Sequence, residues 1–172
     1  MASDPDEYVS LIRGARIEVV ASQRGAFDAS VTRVDLGKLW MQRGRESLAR
    51  TFRAVMPADR VILWFLASPQ PPVTILTSAI EHCDLAILTP GEAACWRSIA
   101  PCEWMSLSLP TEEFRRYGVS LTGKEVLPRE IQQVRRSLQI RLARLRRLHR
   151  ATVDLAETAP DVLTHPEAAR GL

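Results

Sequence analysis

Three histidines and three cysteines are the strongest metal ligands and nucleophiles in this 172-residue chain, and their spacing limits what they can do. A mononuclear metal site of the β-barrel enzyme kind needs imidazoles and a carboxylate converging on one point. His82 is the only histidine among the first 110 residues, His149 and His165 lie far downstream, and there is no His-x-His. No metal ligand set is assigned. Cys83, Cys95 and Cys102 are odd in number and form no Cys-x-x-Cys. They read as reduced, buried thiols of a cytoplasmic protein, ahead of a three-thiolate metal site without recognisable spacing. A Gly-x-Ser-x-Gly elbow and a glycine-rich phosphate loop are both lacking. Cys95 stands beside Trp96-Arg97, but the one base to pair with it, His82, has no defined relation to it. No catalytic residue and no cofactor follow, and the chain is expected not to be an enzyme.

Aromatic side chains offer binding rather than catalysis. Trp40, Trp64, Trp96 and Trp104 all fall in the first 110 residues. Rigid aromatic rings can wall a cavity, and with Phe52 these four are the candidate ligand-binding residues; packing at a barrel end is the competing reading. Met41 and Met105 share that ambiguity. Arg33, Arg53 and Arg97 sit inside strand-like runs, where they either face water or face inward towards a carboxylate. The other arginines gather downstream. Residues 1–110 carry 11 basic and 12 acidic side chains, whereas 111–172 carry 12 and 8, and no acidic residue occurs between Ile131 and Val153. Any electrostatic partner would meet that stretch.

The elements that must position these residues change character at Pro110. Before it, runs rich in Val, Ile, Leu, Thr and Trp recur near 17–22, 28–35, 38–43, 49–54, 60–67, 73–76, 85–89, 93–98 and 103–109, a β-barrel or sandwich rhythm. Leu36-Gly37 reads as a hairpin turn, Arg43-Gly44 as the end of a run, and Thr89-Pro90-Gly91-Glu92 as a turn. In Trp104–Leu109, Met105, Leu107 and Leu109 share one face while Ser106 and Ser108 share the other. Val61–Leu66 is apolar on both faces, so it is expected to be covered on both. After Pro110, Thr111 is expected to cap a short helix with Glu112 and Glu113 in its first turn and Gly118 at its end. Ile131, Val134, Leu138, Leu142, Leu145, Leu148 and Leu155 then recur at three- and four-residue steps, predicting a long helix from near Pro128 to near Thr158, with most arginines off its apolar stripe. That stripe packs on the barrel or pairs with a second copy, and Leu138, Leu142, Leu145 and Leu148 are the candidate dimer interface. A helix-turn-helix reading would need a partner helix and a short turn, which do not flank it. His165-Pro166-Glu167-Ala168-Ala169 reads as the first turn of one more helix.

Composition bounds the class. At 46% hydrophobic and 25% charged, the chain is expected to be one soluble globular unit. No apolar run is long enough for a membrane span, and the acidic start is not a secretory leader.

The succession Gly25-Ala26-Phe27, Val34-Asp35-Leu36-Gly37-Lys38-Leu39, Arg43-Gly44, Thr89-Pro90-Gly91-Glu92, Trp104-Met105-Ser106-Leu107-Ser108-Leu109-Pro110 and His165-Pro166-Glu167-Ala168-Ala169 resembles the N-terminal half of AraC-family transcriptional regulators, from about residue 10 to the end. The resemblance is to their AraC-binding-like sensor, a relative of the cupins. It implies an α+β fold: a cupin-like β-barrel (double-stranded β-helix) followed by C-terminal helices, including one long Arg-rich amphipathic helix. It further implies a barrel sensor over 10–110, a helical dimerisation or transmission region over 111–159, and over 160–172 the start of a linker helix to a DNA-binding domain outside this chain. The expected function is ligand sensing, dimerisation or both, controlling that helix-turn-helix domain. The partners expected are a second copy (a homodimer), a small-molecule effector and DNA only through the missing domain, with no membrane. The alternative is a stand-alone cupin-fold enzyme or small-molecule-binding protein acting on a small acid or sugar.

Overall fold

Alternation of inward and outward residues builds two antiparallel sheets in a computed structural model. It describes residues 1–126 and 142–161 in full, and the backbone alone of 132–134, 139–141 and 162–163. A short helix, α1 (Pro5–Leu11), opens the chain. Asp4 caps it, accepting the Asp6 N–H at 2.7 Å, and Pro5 occupies its tolerated first turn. The strands are β1 (Arg16–Ala21), β2 (Ala29–Leu36), β3 (Leu39–Glu46), β4 (Arg50–Val55), β5 (Arg60–Leu66), β6 (Val73–Ile75), β7 (Ser78–Ile80), β8 (Leu85–Leu88), β9 (Ala93–Arg97) and β10 (Cys102–Pro110). Helix α2 (Thr111–Thr122), strand β11 (Gln132–Val134) and helices α3 (Gln139–Thr158) and α4 (Pro160–Leu163) follow.

One sheet has the order β1-β4-β9-β6-β7 and the other β11-β8-β5-β10-β3-β2. Their facing sides hold one core, which includes Phe52, Ile62, Trp64, Leu66, Trp96 and Trp104. A second core, with Met41, Phe65, Met105, Leu107, Leu142 and Val153, lies where α3 covers the back of the second sheet. Strand β5 belongs to both, with Ile62, Trp64 and Leu66 in the first and Phe65 in the second. Its two-sided apolar sequence is thereby explained, as expected. The fold class agrees with the expectation at the level of α+β with two antiparallel sheets.

The β2–β3 hairpin turns on Gly37, at φ 74°, and the Asp35 carboxylate accepts the Gly37 N–H at 2.9 Å. Gly44 departs from the expected role: it ends nothing, because β3 runs on to Glu46. Gly44 pairs with Trp104, and a Cβ there would stand 2.2 Å from the indole ring. The glycine leaves room for a tryptophan to lie across the strand.

The helical part begins later than expected. Gln132–Val134 pairs with Leu85–Ile87 as a sheet edge, so the pairing capacity of β8 overrides the helical period there. Helix α2 passes through Gly118, where a Cβ would meet Val126 at 2.2 Å, and ends instead at Gly123, at φ 72°. Pro160 starts α4. The expected helix at Pro166 lies outside the described residues.

Candidate functional site

The period of two aims Arg50, Phe52 and Ala54 on β4 between the sheets while Arg53 and Val55 point out. Phe52 faces Trp96 of β9 in register, and Trp64 of β5 faces Ser106 of β10. Together with Gln42, Met56, Ile62, Leu88 and Trp104 they enclose a cavity of about 60 Å³, closed on one side by Ile12, Arg13, Ala15 and Ile17. Gln42 pins that closing stretch: it accepts the Arg13 N–H at 2.7 Å and donates to the Arg13 carbonyl at 3.0 Å. Ligand pockets for drug-sized molecules run from about 300 Å³ upward. The cavity as it stands holds only a few water-sized molecules, so a larger occupant must displace wall residues.

A buried polar network closes one end. The Glu46 carboxylate, whose side chain has no exposed surface, accepts from Tyr8 Oη at 2.5 Å, Trp104 Nε1 at 2.8 Å and Arg50 Nε at 2.6 Å. Burial is the largest influence on Arg50 and opposes its charge, but the surrounding acidic groups, Glu46 foremost, together hold the guanidinium pKa up. Burial, reinforced by Glu46, likewise raises the Tyr8 phenol. Helix α1 thus serves the network by carrying Tyr8 to it, packed against Phe27 and Phe52 with centroids 5.9 and 6.0 Å away. Arg50 also lies over the Phe52 ring at 4.0 Å.

Among the described residues, two donors of the residues that form this wall have no partner. Arg50 Nη1 and Trp96 Nε1 are buried without a hydrogen bond, on residues only 1% and 6% exposed. A buried unmatched donor costs roughly 1–3 kcal/mol, and an acceptor arriving in the cavity would recover that. The cavity therefore offers flat apolar walls, and two of its lining residues, Arg50 and Trp96, carry a buried N–H that a small rearrangement would bring to an occupant.

Four of the five aromatic candidates, Phe52, Trp64, Trp96 and Trp104, line this one cavity. Trp40 does not. It is sandwiched between the Arg13 and Arg60 guanidinium groups, each 3.5 Å from its ring centroid, and it lines a separate groove beside β2. Sequence reasoning missed Tyr8, Glu46 and Arg50. The available signal was parity: Arg50 shares the face of Phe52 and Ala54. Arg33, Arg53 and Arg97 are exposed.

Cys102 is buried, which pushes its thiol up to about 12, so it stays protonated and is a poor nucleophile at neutral pH. Cys95 lines the outer groove of the first sheet, while His82 lines a groove against α3. Among the described residues no three His, Cys, Asp or Glu side chains are grouped to hold a metal.

Helix α3 is tied to the wall from behind. His149 Nε2 contacts the Ser106 carbonyl of β10 at 3.0 Å, and Arg43 of β3 donates to Asp154 and Glu157, each at 2.7 Å. Of the candidate dimer residues, Leu142 is 3% exposed in the second core and Leu145 packs against it, both on the chain's own sheet. Leu148 is 47% exposed, and Leu138 lies outside the described residues. The arginines are not uniformly solvated either: Arg146 is buried and donates to the Leu66 carbonyl at 2.8 Å.

Two antiparallel sheets closed over an aromatic cavity, with a helix fastened to one outer face, define the class of fold. No protein-family model and no curated protein sequence matches the chain. Among solved structures, the AraC-like transcriptional activator CuxR is similar, with a TM-score of 0.59 at 14% identity, over 89% of this chain and 59% of that one. The chain spans 59% of that activator's length, and the two share a fold. The resemblance to an AraC-family sensor read from the residues thus meets a solved AraC-like regulator. A vicilin from hazelnut (Corylus avellana) also aligns, over 79% of this chain and 46% of its own at 12% identity, but its TM-score of 0.25 carries no argument. Among the described residues no helix is long and apolar enough to cross a membrane.

Proposed function

We propose that the chain is the regulatory part of an AraC-type transcription factor, a cupin-like barrel that senses a small molecule and controls DNA-binding units outside it. The observation that carries this reading is the inter-sheet cavity with its two unmatched donors, Arg50 Nη1 and Trp96 Nε1. Its effector is a flat, largely apolar molecule presenting a hydrogen-bond acceptor, best an anionic one, to that pair. Entry requires the Ile12–Ile17 stretch to yield, and the Gln42 clamp on Arg13 sets its resistance. Occupancy then biases β10 and β3, which hold α3 through Ser106 and Arg43, and α3 passes the bias downstream. A ligand shifts such an equilibrium only by its differential affinity for the two arrangements.

The fold likeness to an AraC-like activator supports this reading over a stand-alone enzyme. So does Glu46, a buried carboxylate behind the cavity wall, whose oxygens are already taken up by hydrogen bonds from Tyr8, Trp104 and Arg50.

Tryptophan emission tests the reading, because Trp64, Trp96 and Trp104 wall the cavity. Titration with benzoate should quench emission saturably, and toluene should do so more weakly. Trp96→Phe, which keeps the ring and removes the donor, should weaken benzoate by roughly 5- to 10-fold, the worth of about one hydrogen bond. A linear, non-saturating response to benzoate in the wild-type chain would remove the cavity from the sensing role.

A further inference from the structure

A second concave site lies on the other side of the molecule, between α3 and the loops that follow β5 and β7. It is an open groove of about 600 Å³, with Ala67, Pro69 and His82 on one wall and Arg146, Arg147, Arg150 and Asp154 on the other. Three guanidinium groups within five residues share it. Arg146 and Arg150 are one helical turn apart, where like charges repel. Arg146 is nevertheless only 7% exposed, and burial and Arg150 together hold its pKa down.

Among the described residues this charge meets main-chain carbonyls rather than free carboxylates. Arg146 Nε and Arg150 Nη2 donate to main-chain carbonyls, Leu66 at 2.8 Å and Ala67 at 3.0 Å. Asp154, the carboxylate of the groove, is held by Arg43 at 2.7 Å. Among the described residues no carboxylate pairs with Arg146, Arg147 or Arg150. Arg146 Nη2 is buried without any partner. So is Nδ1 of His82, whose ring bonds the Ser68 main chain. The residues that carry these two atoms, from two separate segments, both line one cationic groove, with the atoms themselves just beneath its surface.

We propose that this groove binds a phosphate-class oxyanion, held by Arg146, Arg147 and Arg150 with His82 at its edge. Guanidinium forks match tetrahedral oxyanions in pairs of N–H···O bonds, and a dianion offers enough oxygens and charge for three of them, where one carboxylate would leave most of the charge unmet. The recess favours a compact group over a polyanion's flank, because a duplex would engage the exposed Arg147 and pass over the buried Arg146. The site is independent of the inter-sheet cavity and of any effector bound there.

Isothermal titration of the chain at constant ionic strength tests this, with inorganic phosphate, glycerol phosphate, acetate and chloride as probes. Saturable one-to-one binding of either phosphate, with acetate and chloride inert, is the expected result. Glycerol phosphate at parity or better marks the site as one for phosphomonoesters, and inorganic phosphate alone marks it as one for the free ion. Among the described residues Arg147 has no hydrogen-bond or ion-pair partner, so Arg147→Ala should leave the unliganded melting temperature unchanged and weaken phosphate about 10-fold. Arg146→Lys, which keeps the charge and loses the fork, should weaken it too. Acetate binding as well as phosphate, equal binding by wild type and Arg147→Ala, or binding of duplex DNA alone would each overturn the proposal.

Discussion

Glu46 and Arg50 are the residues on which the cavity's end depends. Each is buried, each answers the other's charge, and Tyr8 and Trp104 complete the carboxylate's shell. Removing one partner of a buried ion pair leaves the other charge unmet and costs about 3–5 kcal/mol, whereas replacing both by neutral groups is often far milder. Glu46→Gln should therefore lose stability of that order in urea unfolding. The double variant Glu46→Gln/Arg50→Met, which retains an acceptor for Tyr8 and Trp104, should recover more than half of it. A loss in the double variant equal to the sum of the Glu46→Gln and Arg50→Met losses would show that the pair is not coupled. At this scale the sequence was half legible. Tryptophans announce a cavity by type, and four of the five aromatic candidates share one. A charged residue inside a strand announces nothing until the parity of its neighbours is used. Trp40 shows the reverse limit, since no local pattern reveals that two arginines distant in sequence, Arg13 and Arg60, will stack on it.

Helix α3 is where the element scale matters, because it is both packing and tether. His149 lies on its inner face, 1% exposed, edge-on to Phe65 with centroids 5.8 Å apart. Burial depresses its pKa from 6.5 to about 4, with Arg43 adding to the effect. A base whose folded pKa lies below its unfolded value binds fewer protons folded than unfolded between those two values. Stability is therefore full above pH 6.5 and falls as the pH drops from 6.5 towards 4. The shift corresponds to about 3 kcal/mol. Unfolding free energy measured between pH 7 and pH 4.5 should decline along that slope. His149→Gln, which can still donate to the Ser106 carbonyl, should flatten most of it. His82, depressed by burial and by Arg146 and Arg150, supplies the remainder. An unaltered slope in His149→Gln would place the acid sensitivity elsewhere. Glu157 and Asp35, held low by hydrogen bonds from Thr32 and Arg13 respectively, act only at more acidic pH. Most strands up to β10 were legible from their apolar runs, but β7, only three residues long (Ser78–Ile80), gave no run of its own. The start of α3 was not legible, since Gln132–Val134 follows the helical period and yet pairs with β8, a choice made by a sheet edge rather than by local sequence.

For the whole molecule, the leucine stripe poses a question of allocation. A stripe at helical spacing can cover the chain's own sheet or meet a second copy, and sequence cannot choose between two apolar partners. Here Leu142 and Leu145 cover Phe65, Met105 and Leu107, so pairing two copies through them would first require α3 to leave its sheet. Leaving would also break the Arg43 ties to Asp154 and Glu157 and the His149 contact with β10. Two substitutions separate the allocations. Leu142→Glu buries an unpaired charge in the second core and should cost at least about 3 kcal/mol, lowering the melting temperature and loosening tertiary structure before any change in mass. Leu148→Glu lies on the exposed side and should stay within about 0.5 kcal/mol of wild type, with unchanged sedimentation. A well-folded monomer produced from a dimer by Leu142→Glu would mean that the stripe is spent between copies after all. Loss of a dimer on Leu148→Glu alone would instead make the outer, arginine-bearing face of α3 the surface where copies meet, and any oxyanion in the groove beside it would then lower their mutual repulsion.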